Sequence, residues 1–498
     1  MFDSIREFFK STIIYGLIGG SRSFIEFLLL PIYARFLTPA DFGRLDILMI
    51  FVMIGLVLAI LEINNALFRF YFDYNTIRDR SKIVMTALMS SSINGFIIFI
   101  GALLFSKSLA SLALNSSDYS YLFILAAGYV FLDAIVTVPI NLLRVENKPV
   151  SYTSISLIQV FISIIGIIFF VIMLKWGVAG ILVAKNISIM PTIVFTFIKT
   201  RKYLSKRFDF ALLRKMLKFS LPLIPLGVAL WGVNSLNRLF MIKYLTLEQI
   251  GYFSIGMKFV VPLTLSVVAF QLAWPQFALA NMHSEKAGNL YSEIFNIFIA
   301  FELCLVLFLS LFAEAIIPYV MTAQYLPVIK VILPLSFGMF LYGVFFFLTT
   351  GEFIKKATTK IIPPIFIALI ANIVLNIILT PKYGIMGTAW VMMVTYLFMI
   401  VVMFSLSRKF CGRLLRLNKL GRLAIVSSAM FFISISMSGM NSPFELGLKL
   451  AVFLAFPVLL FVSGFLSKTY LYNMRSLFLR NSGDLINNKE EYAESPIE

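Results

Sequence analysis

ARFLTPADFG at positions 34–43 and IKYLTLEQIG at positions 242–251 are nearly the same text, 208 residues apart. Aligned, they set basic on basic (Arg35, Lys243), aromatic on aromatic (Phe36, Tyr244), Leu37-Thr38 on Leu245-Thr246, and Gly43 on Gly251. A second pair, KWGVAG at 175–180 and KYGIMG at 382–387, lies at an offset of 207. A third, Asn147-Lys148 with Lys355-Lys356, returns to 208. Three landmarks in register mark an internal duplication. Gly43 and Gly251 are expected to supply the turn of a hinge between the first two helices of each copy.

Composition says what kind of chain is duplicated. Of 498 residues 60% are hydrophobic, 52 are Phe, and the mean hydropathy is +0.94; soluble domains stay near about 45–50% apolar. A membrane-crossing helix needs about 20 apolar residues. Fourteen stretches qualify: 12–36, 46–70, 83–105, 119–141, 150–174, 178–199, 219–243, 253–280, 290–317, 325–348, 358–380, 385–407, 420–439 and 447–467. They are too long and too uniformly apolar for the alternating strands of a barrel. The expected fold is an all-α polytopic membrane protein of about 14 transmembrane helices, arranged as two parallel six-helix repeats plus two C-terminal helices. An even number of spans per repeat gives the copies the same orientation, related by an axis along the membrane normal.

The expected division is a first lobe over 1–200, an amphipathic linker over 201–218, a second lobe over 219–410, two added helices over 411–470 and a tail over 471–498. In the linker Phe208, Leu212, Leu213, Met216 and Phe219 share one helical face, and Arg207, Arg214, Lys215 and Lys218 another. That pattern suits an interfacial helix between rocking lobes, or a solvated basic loop. The acidic tail has the composition of a disordered segment. The N-terminal MFDSIREFFK runs straight into the first span and is expected to be retained, because no small-residue cleavage site follows.

The net charge of +18 is informative through its placement. With the N-terminus inside, 29 Lys and Arg fall on inner segments and eight on outer ones. This is the positive-inside pattern, which places both termini in the cytoplasm. Membrane lipids with anionic headgroups, and not nucleic acid, are the partners it implies. Cys304 and Cys411 lie too far apart for a disulfide framework. The single His283 excludes two-histidine zinc patterns, no phosphate-binding GxxxxGK[ST] loop occurs, and the longest outer loop, 107–118, is too short for an extracytoplasmic catalytic domain. No catalytic residue, metal or cofactor is expected, so transport fits better than catalysis.

Ionisable residues at membrane depth are the best pointers to function. In the first span Tyr15, Gly19, Arg22, Glu26 and Tyr33 share a face, with Arg22 and Glu26 one turn apart and Gly16 and Gly20 beside them. Arg22 reads as a cavity cation for phosphate or acidic sugars oriented by Glu26, or as half of a buried structural pair. Trp231, Asn234, Asn237 and Arg238 form a stripe on the seventh span, and Lys258 lies on the eighth. Arg238 and Lys258 read as a second set of anion-binding cations with Trp231 stacking on a sugar; the alternatives are an Arg238 reaching the outer interface and plain packing for Trp231. Lys185, beside Asn186, and Asp133 form a buried bridge, or else a second cation and a proton-sensitive carboxylate. Asp133 is followed at helical spacing by Asn141 and Arg144. Glu62, Asn65 and Arg69 read as a cytoplasmic gate or a local interfacial cluster. Glu302 has no evident partner, and Lys330 reaches toward the surface from the tenth span. Eight prolines inside spans, among them Pro31, Pro139, Pro225 and Pro334, offer bends.

A first helix ending LPIYARFLTPADFG, a seventh-helix region LPLIPLGVALWGVNSLNRLFMIKYLTLEQIGYFSIGMK, and spans in a 6+6+2 order resemble the Wzx-type O-antigen and polysaccharide flippases of the multidrug/oligosaccharidyl-lipid/polysaccharide exporter superfamily. The resemblance implies a bacterial inner-membrane protein that moves undecaprenyl-pyrophosphate-linked oligosaccharide units to the periplasmic leaflet by alternating access. It implies a polysaccharide polymerase and a chain-length regulator as further partners, and an ion gradient or membrane potential as energy source, with Asp133 or Glu26 as coupling groups. Rival readings are a small-molecule exporter of the same superfamily and a membrane glycosyltransferase or polysaccharide polymerase.

Overall fold

The computed structural model describes residues 8, 12, 27, 29–204, 208–284, 287–408, 417–437, 439 and 442–466. Arg22 and Glu26, with most of the first expected span, lie outside the described residues, as does the 471–498 tail. Among the described residues the chain is helical throughout and carries no strand. Among the described residues twelve helical runs are long and apolar enough to cross a membrane. One run, Thr358–Leu406, holds both expected spans 358–380 and 385–407, two helices that meet at a sharp kink at Gly384 (φ 62°, ψ −139°), where the Thr380 and Thr388 hydroxyls come within 3.1 Å.

The duplicated text encodes a helix start. Thr38 caps α2 (Pro39–Ile60): its hydroxyl accepts from the Asp41 amide, while the Asp41 carboxylate accepts from the Thr38 amide. Thr246 and Gln249 build the same reciprocal box at the head of α11 (Leu247–Phe259). Such a box satisfies amides that would otherwise lack partners in an apolar setting. The turn therefore belongs to the threonines. Gly43 and Gly251 lie a full turn inside their helices, contrary to the hinge role expected of them, and serve close packing instead. The second landmark also recurs as geometry. Gly177 and Gly384, at the offset of 207, both have positive φ (55° and 62°), whereas in the third landmark positive φ falls at Asn147 and Lys356, one residue out of register.

The remaining first-half helices are α1 (Leu30–Phe36), α3 (Ile63–Tyr71), α4 (Ile77–Leu114), α5 (Ser120–Val145), α6 (Pro149–Ile167) and α7 (Gly177–Thr200). Leu61 and Glu62, both left-handed, separate α3 from α2. After α8 (Phe210–Ser220) come α9 (Ile224–Ser235), α10 (Asn237–Tyr244), α12 (Val261–Ala280), α13 (Ala287–Val320), α14 (Ile329–Ile354) and α15 (Ile362–Leu406). The last pair is α16 (Leu417–Ser436) and α17 (Pro443–Val462). The bundle has one end that carries Thr38 and Thr246, the threonine-cap end, and an opposite, basic end with Lys148, Lys202, Lys355 and Lys360.

At the basic end the linker is fastened to the first half. Leu212 and Met216 of α8 are buried with Tyr71, Ile83, Leu142 and Tyr203, while Phe208, Phe210 and Phe219 stay exposed. The apolar stripe read from the sequence thus splits between protein and surroundings. The Tyr203 hydroxyl meets Tyr71 and Glu146, and Lys148 and Lys202 reach Glu146 at 2.8 and 2.7 Å. Burial opposes the charge on Glu146, but hydrogen bonds from Lys148, Lys202 and Tyr203 outweigh it and pull the carboxyl down to about 2.

Candidate functional site

The two copies of the duplicated motif meet each other. Where α2 crosses α11, a Cβ built on Gly43 would stand 2.0 Å from the Leu247 carbonyl oxygen, and one on Gly251 would stand 1.8 Å from the Pro39 carbonyl oxygen. The contact is reciprocal, as two-fold related surfaces are. No side chain fits between these backbones, so the glycines set how closely the halves approach.

Three further contacts surround the crossing. The Tyr325 hydroxyl, in the 3-10 turn Ala323–Val328, donates to the Leu37 carbonyl, and its ring stands edge-on to Phe42 at 5.9 Å. Arg44 pairs with Asp41 at 2.7 Å and lies over the Tyr119 ring at 4.4 Å. About one turn deeper, Arg238 Nε donates to Asp46 at 2.9 Å, the two side chains only 15% and 13% exposed. This ion pair bridges α10 and α2, and so joins the two halves below the glycine crossing. An ion pair that is largely dry makes separation costly, because parting the partners leaves an uncompensated charge.

Arg238 is held from behind. Its Nη1 donates to the Asn234 carbonyl, and Asn234 Oδ1 accepts from Tyr396 at 2.7 Å. Asn237, the preceding residue, is fully buried and accepts from Asn372, which also donates to Thr395 at 3.0 Å. Asn376 and Thr380 continue this chain to Thr388, across the break in α15. A connected buried network of this kind rigidifies its surroundings, although the Asn237 side-chain amide N–H group has no partner among the described residues. Arg238 therefore projects toward Asp46 from a firm base.

The other residues read from the sequence separate into groups. Asn186, on α7, donates to the Leu125 carbonyl of α5, and Asp133 and Lys185 stand half-buried on those same two packed helices. Trp231 is half-buried with an indole N–H that has no hydrogen-bond partner among the described residues. Lys258 is half-buried on α11, and Lys330 is exposed. Asn141 donates to the Thr137 carbonyl, and Arg144 reaches Asn141 at 3.3 Å. Glu62 accepts from Asn65 at 2.8 Å and lies close to Gly227 of α9. Arg69 does not join them: it pairs with Asp73, and both are well exposed, so the three-residue cluster loses its basic member.

Sequence reading missed Asp46 and Tyr325. Asp46 was legible as an acid at the head of an otherwise apolar span, one turn past Gly43. Tyr325 carries no such signal, since its role depends on a carbonyl 288 residues away.

Among the described residues the chain is an all-helical bundle with twelve runs able to cross a membrane, whose two halves, each begun by the same capped motif, meet at one end. The chain belongs to the family described as "Polysaccharide biosynthesis protein", whose sequence model matches residues 32–330. It is 23% identical over 275 residues to "Lsg locus putative protein 1" of Haemophilus influenzae, covering 53% of this chain and 64% of that relative's length. In fold it is similar to the structure titled "Lipid II flippase MurJ, inward closed conformation", with a TM-score of 0.69 and 15% identity over 95% of this chain and 99% of the other. It is also similar to an inward-facing multidrug resistance MATE family transporter of the MOP superfamily, with a TM-score of 0.65 and 15% identity over 81% and 98%.

Proposed function

We propose that the chain is a flippase for undecaprenyl-pyrophosphate-linked oligosaccharide units, O-antigen, capsule or exopolysaccharide, across the bacterial inner membrane. The observation that carries this reading is the reciprocal Gly43–Gly251 crossing backed by the Asp46–Arg238 pair, a closed contact between halves that can part as a unit. Family membership supports the polysaccharide setting. The positive-inside count supports a cytoplasmic basic end, so the sealed threonine-cap end faces the periplasm.

The halves act as two six-helix lobes, over 1–200 and 219–410, joined by the 201–218 linker and followed by the helices of 411–470. In alternating access the lobes part at the threonine-cap end as they close at the basic end. Arg22, with Glu26, Lys185 and Lys258 supply cations and orientation for the pyrophosphate, and Trp231 and Asn234 meet the glycan. Arg238 binds substrate only once Asp46 releases it. Asp133 and Glu62 act in coupling and gating. An apolar groove of about 510 Å³ between α13 and α17, lined by Phe312, Ile316, Tyr319, Leu446 and Leu450, suits the polyprenyl chain. The polymerase and chain-length regulator act on the delivered unit.

A deletion strain tests the substrate. Lipid-linked repeat units accumulating on the cytoplasmic face are expected. Fully assembled but unpolymerised surface units would point to a polymerase, and normal surface glycan with drug hypersensitivity to a small-molecule exporter.

A further inference from the structure

Glu302 stands near the middle of α13 and is 0% exposed. Neither carboxyl oxygen has a hydrogen-bond partner among the described residues, although both are buried. Other buried acids face cations: Asp46 has Arg238, Glu146 has Lys148 and Lys202, and Glu352 has Lys355 with the Ser407 hydroxyl. Glu302 has none of these.

The packed elements give it no ion-pair partner among the described residues, although α17 carries the buried Lys449 and α14 the buried Ser336. The whole of α12 carries no ionisable side chain, and its polar group beside Glu302 is Ser266. On α14 the titratable groups are Lys330, exposed at one end, Glu352, engaged at the other, and Tyr342, whose ring packs on Phe346 and Tyr396. On α16, Lys419 and Arg422 donate to the carbonyls of Phe465 and Ser463. On α17, Glu445 caps the helix, and Lys449 is one turn before Phe453, which meets Phe308 and Phe312. Within α13 itself, Glu314 accepts from the Gly439 amide, Glu293 lies more than two turns off, and Tyr291 donates to Ala278. No group of three or more His, Cys, Asp or Glu able to hold a metal occurs among the described residues.

An ionised carboxylate buried without a cation, with one hydroxyl beside it, costs several kcal/mol. This packing accommodates the neutral acid. The helix beside it, α12, continues from α11 through Val260, and α11 is the helix that crosses α2 at Gly251. Motion that parts the crossing therefore drags Ser266 past Glu302. We propose that Glu302 is a proton-binding residue of the transport cycle, beside the coupling role given to Asp133: its carboxyl O–H stays intact while the crossing is sealed, and the proton passes to water when α11 and α12 move away. Opening and proton release are then one linked step. The inference rests on the gate described above and not on the identity of the cargo.

Spin labels on Arg35→Cys and Lys243→Cys, the equivalent exposed positions beside the crossing, report the gate in proteoliposomes without substrate. In the wild-type background the ratio of short to long distances is expected to fall as pH rises, by up to about tenfold per pH unit through the midpoint, the slope of one linked proton. Glu302→Gln keeps the neutral shape and is expected to hold the short distance at every pH. A Glu302→Gln protein that follows the wild-type curve overturns the proposal. Infrared spectra of the unlabelled protein at pH 7 give a second reading that needs no gate motion. A protonated-carboxyl C=O band that disappears in Glu302→Gln is expected, and its absence from the wild type overturns the proposal. Labels that never separate in any background would instead refute the gate.

Discussion

Gly43→Ala tests the closed crossing directly. The added methyl carbon would begin 2.0 Å from the Leu247 carbonyl oxygen. A carbon and a carbonyl oxygen in close helix packing rest at about 3.3–3.6 Å, so α2 and α11 must separate by more than about 1 Å. Overpacking of this order costs about 1–3 kcal/mol. The cost arises only where the helices touch, so it falls on the sealed state and leaves the parted state unaffected. A differential of that size shifts the sealed-to-open ratio by about 5- to 150-fold. The Arg35→Cys and Lys243→Cys spin pair should show the short-distance population falling accordingly, and glycan export should fall because the cycle cannot reseal. Gly251→Ala should match it, and the double variant should cost less than the sum because both methyls force one gap. Gly101→Ala is the control, since a Cβ there meets nothing within 4 Å. A Gly43→Ala protein with an unchanged distance distribution would refute the reasoning, because no rearrangement short of separation relieves a backbone clash.

Other outcomes follow from the same geometry. Asp46→Asn and Arg238→Gln should each impair export, and the exchange Asp46→Arg with Arg238→Asp should restore part of it; equal export in all three would show that the pair does not bridge the halves. Glu146 is held at about 2 against an ordinary 4.5, so its ionised form stabilises the native protein. That contribution is complete above about pH 4.5 and is lost as pH falls toward 2, because a depressed carboxyl must take up a proton on acidification. Glu146→Gln should therefore melt lower than wild type at pH 7, with the gap narrowing below pH 4, as followed by thermal denaturation in detergent. Gly384→Ala forces a side chain into a backbone conformation at φ 62° and ψ −139° that is essentially glycine's own. A loss of about 1–3 kcal/mol in thermal stability is expected, whereas an unchanged melting temperature would show that the break in α15 is not required.

Composition fixed the solvent in which this chain folds, and the repeat fixed its plan, because both are local properties that text retains. Thr38 with Asp41 and Thr246 with Gln249 are capping boxes whose partners lie three residues apart. Arg69 with Asp73, at one helical turn, was equally legible, although Glu62 drew attention in the other direction. The Gly43 and Gly251 pair was visible as text and misread as turn chemistry, since sequence alone shows that a position is small without showing what approaches it.

Tertiary structure decided which of these local elements touch. Asp46 and Arg238 are separated by 192 residues, and only the crossing of α2 over α11 brings them to 2.9 Å. Burial without a partner, the property that singles out Glu302, likewise belongs to the packing of several helices at once. A helix's face and ends follow from neighbours within a few residues, so the sequence determined them. The approach of two distant backbones depends on every helix between them, so that only the folded bundle could set it.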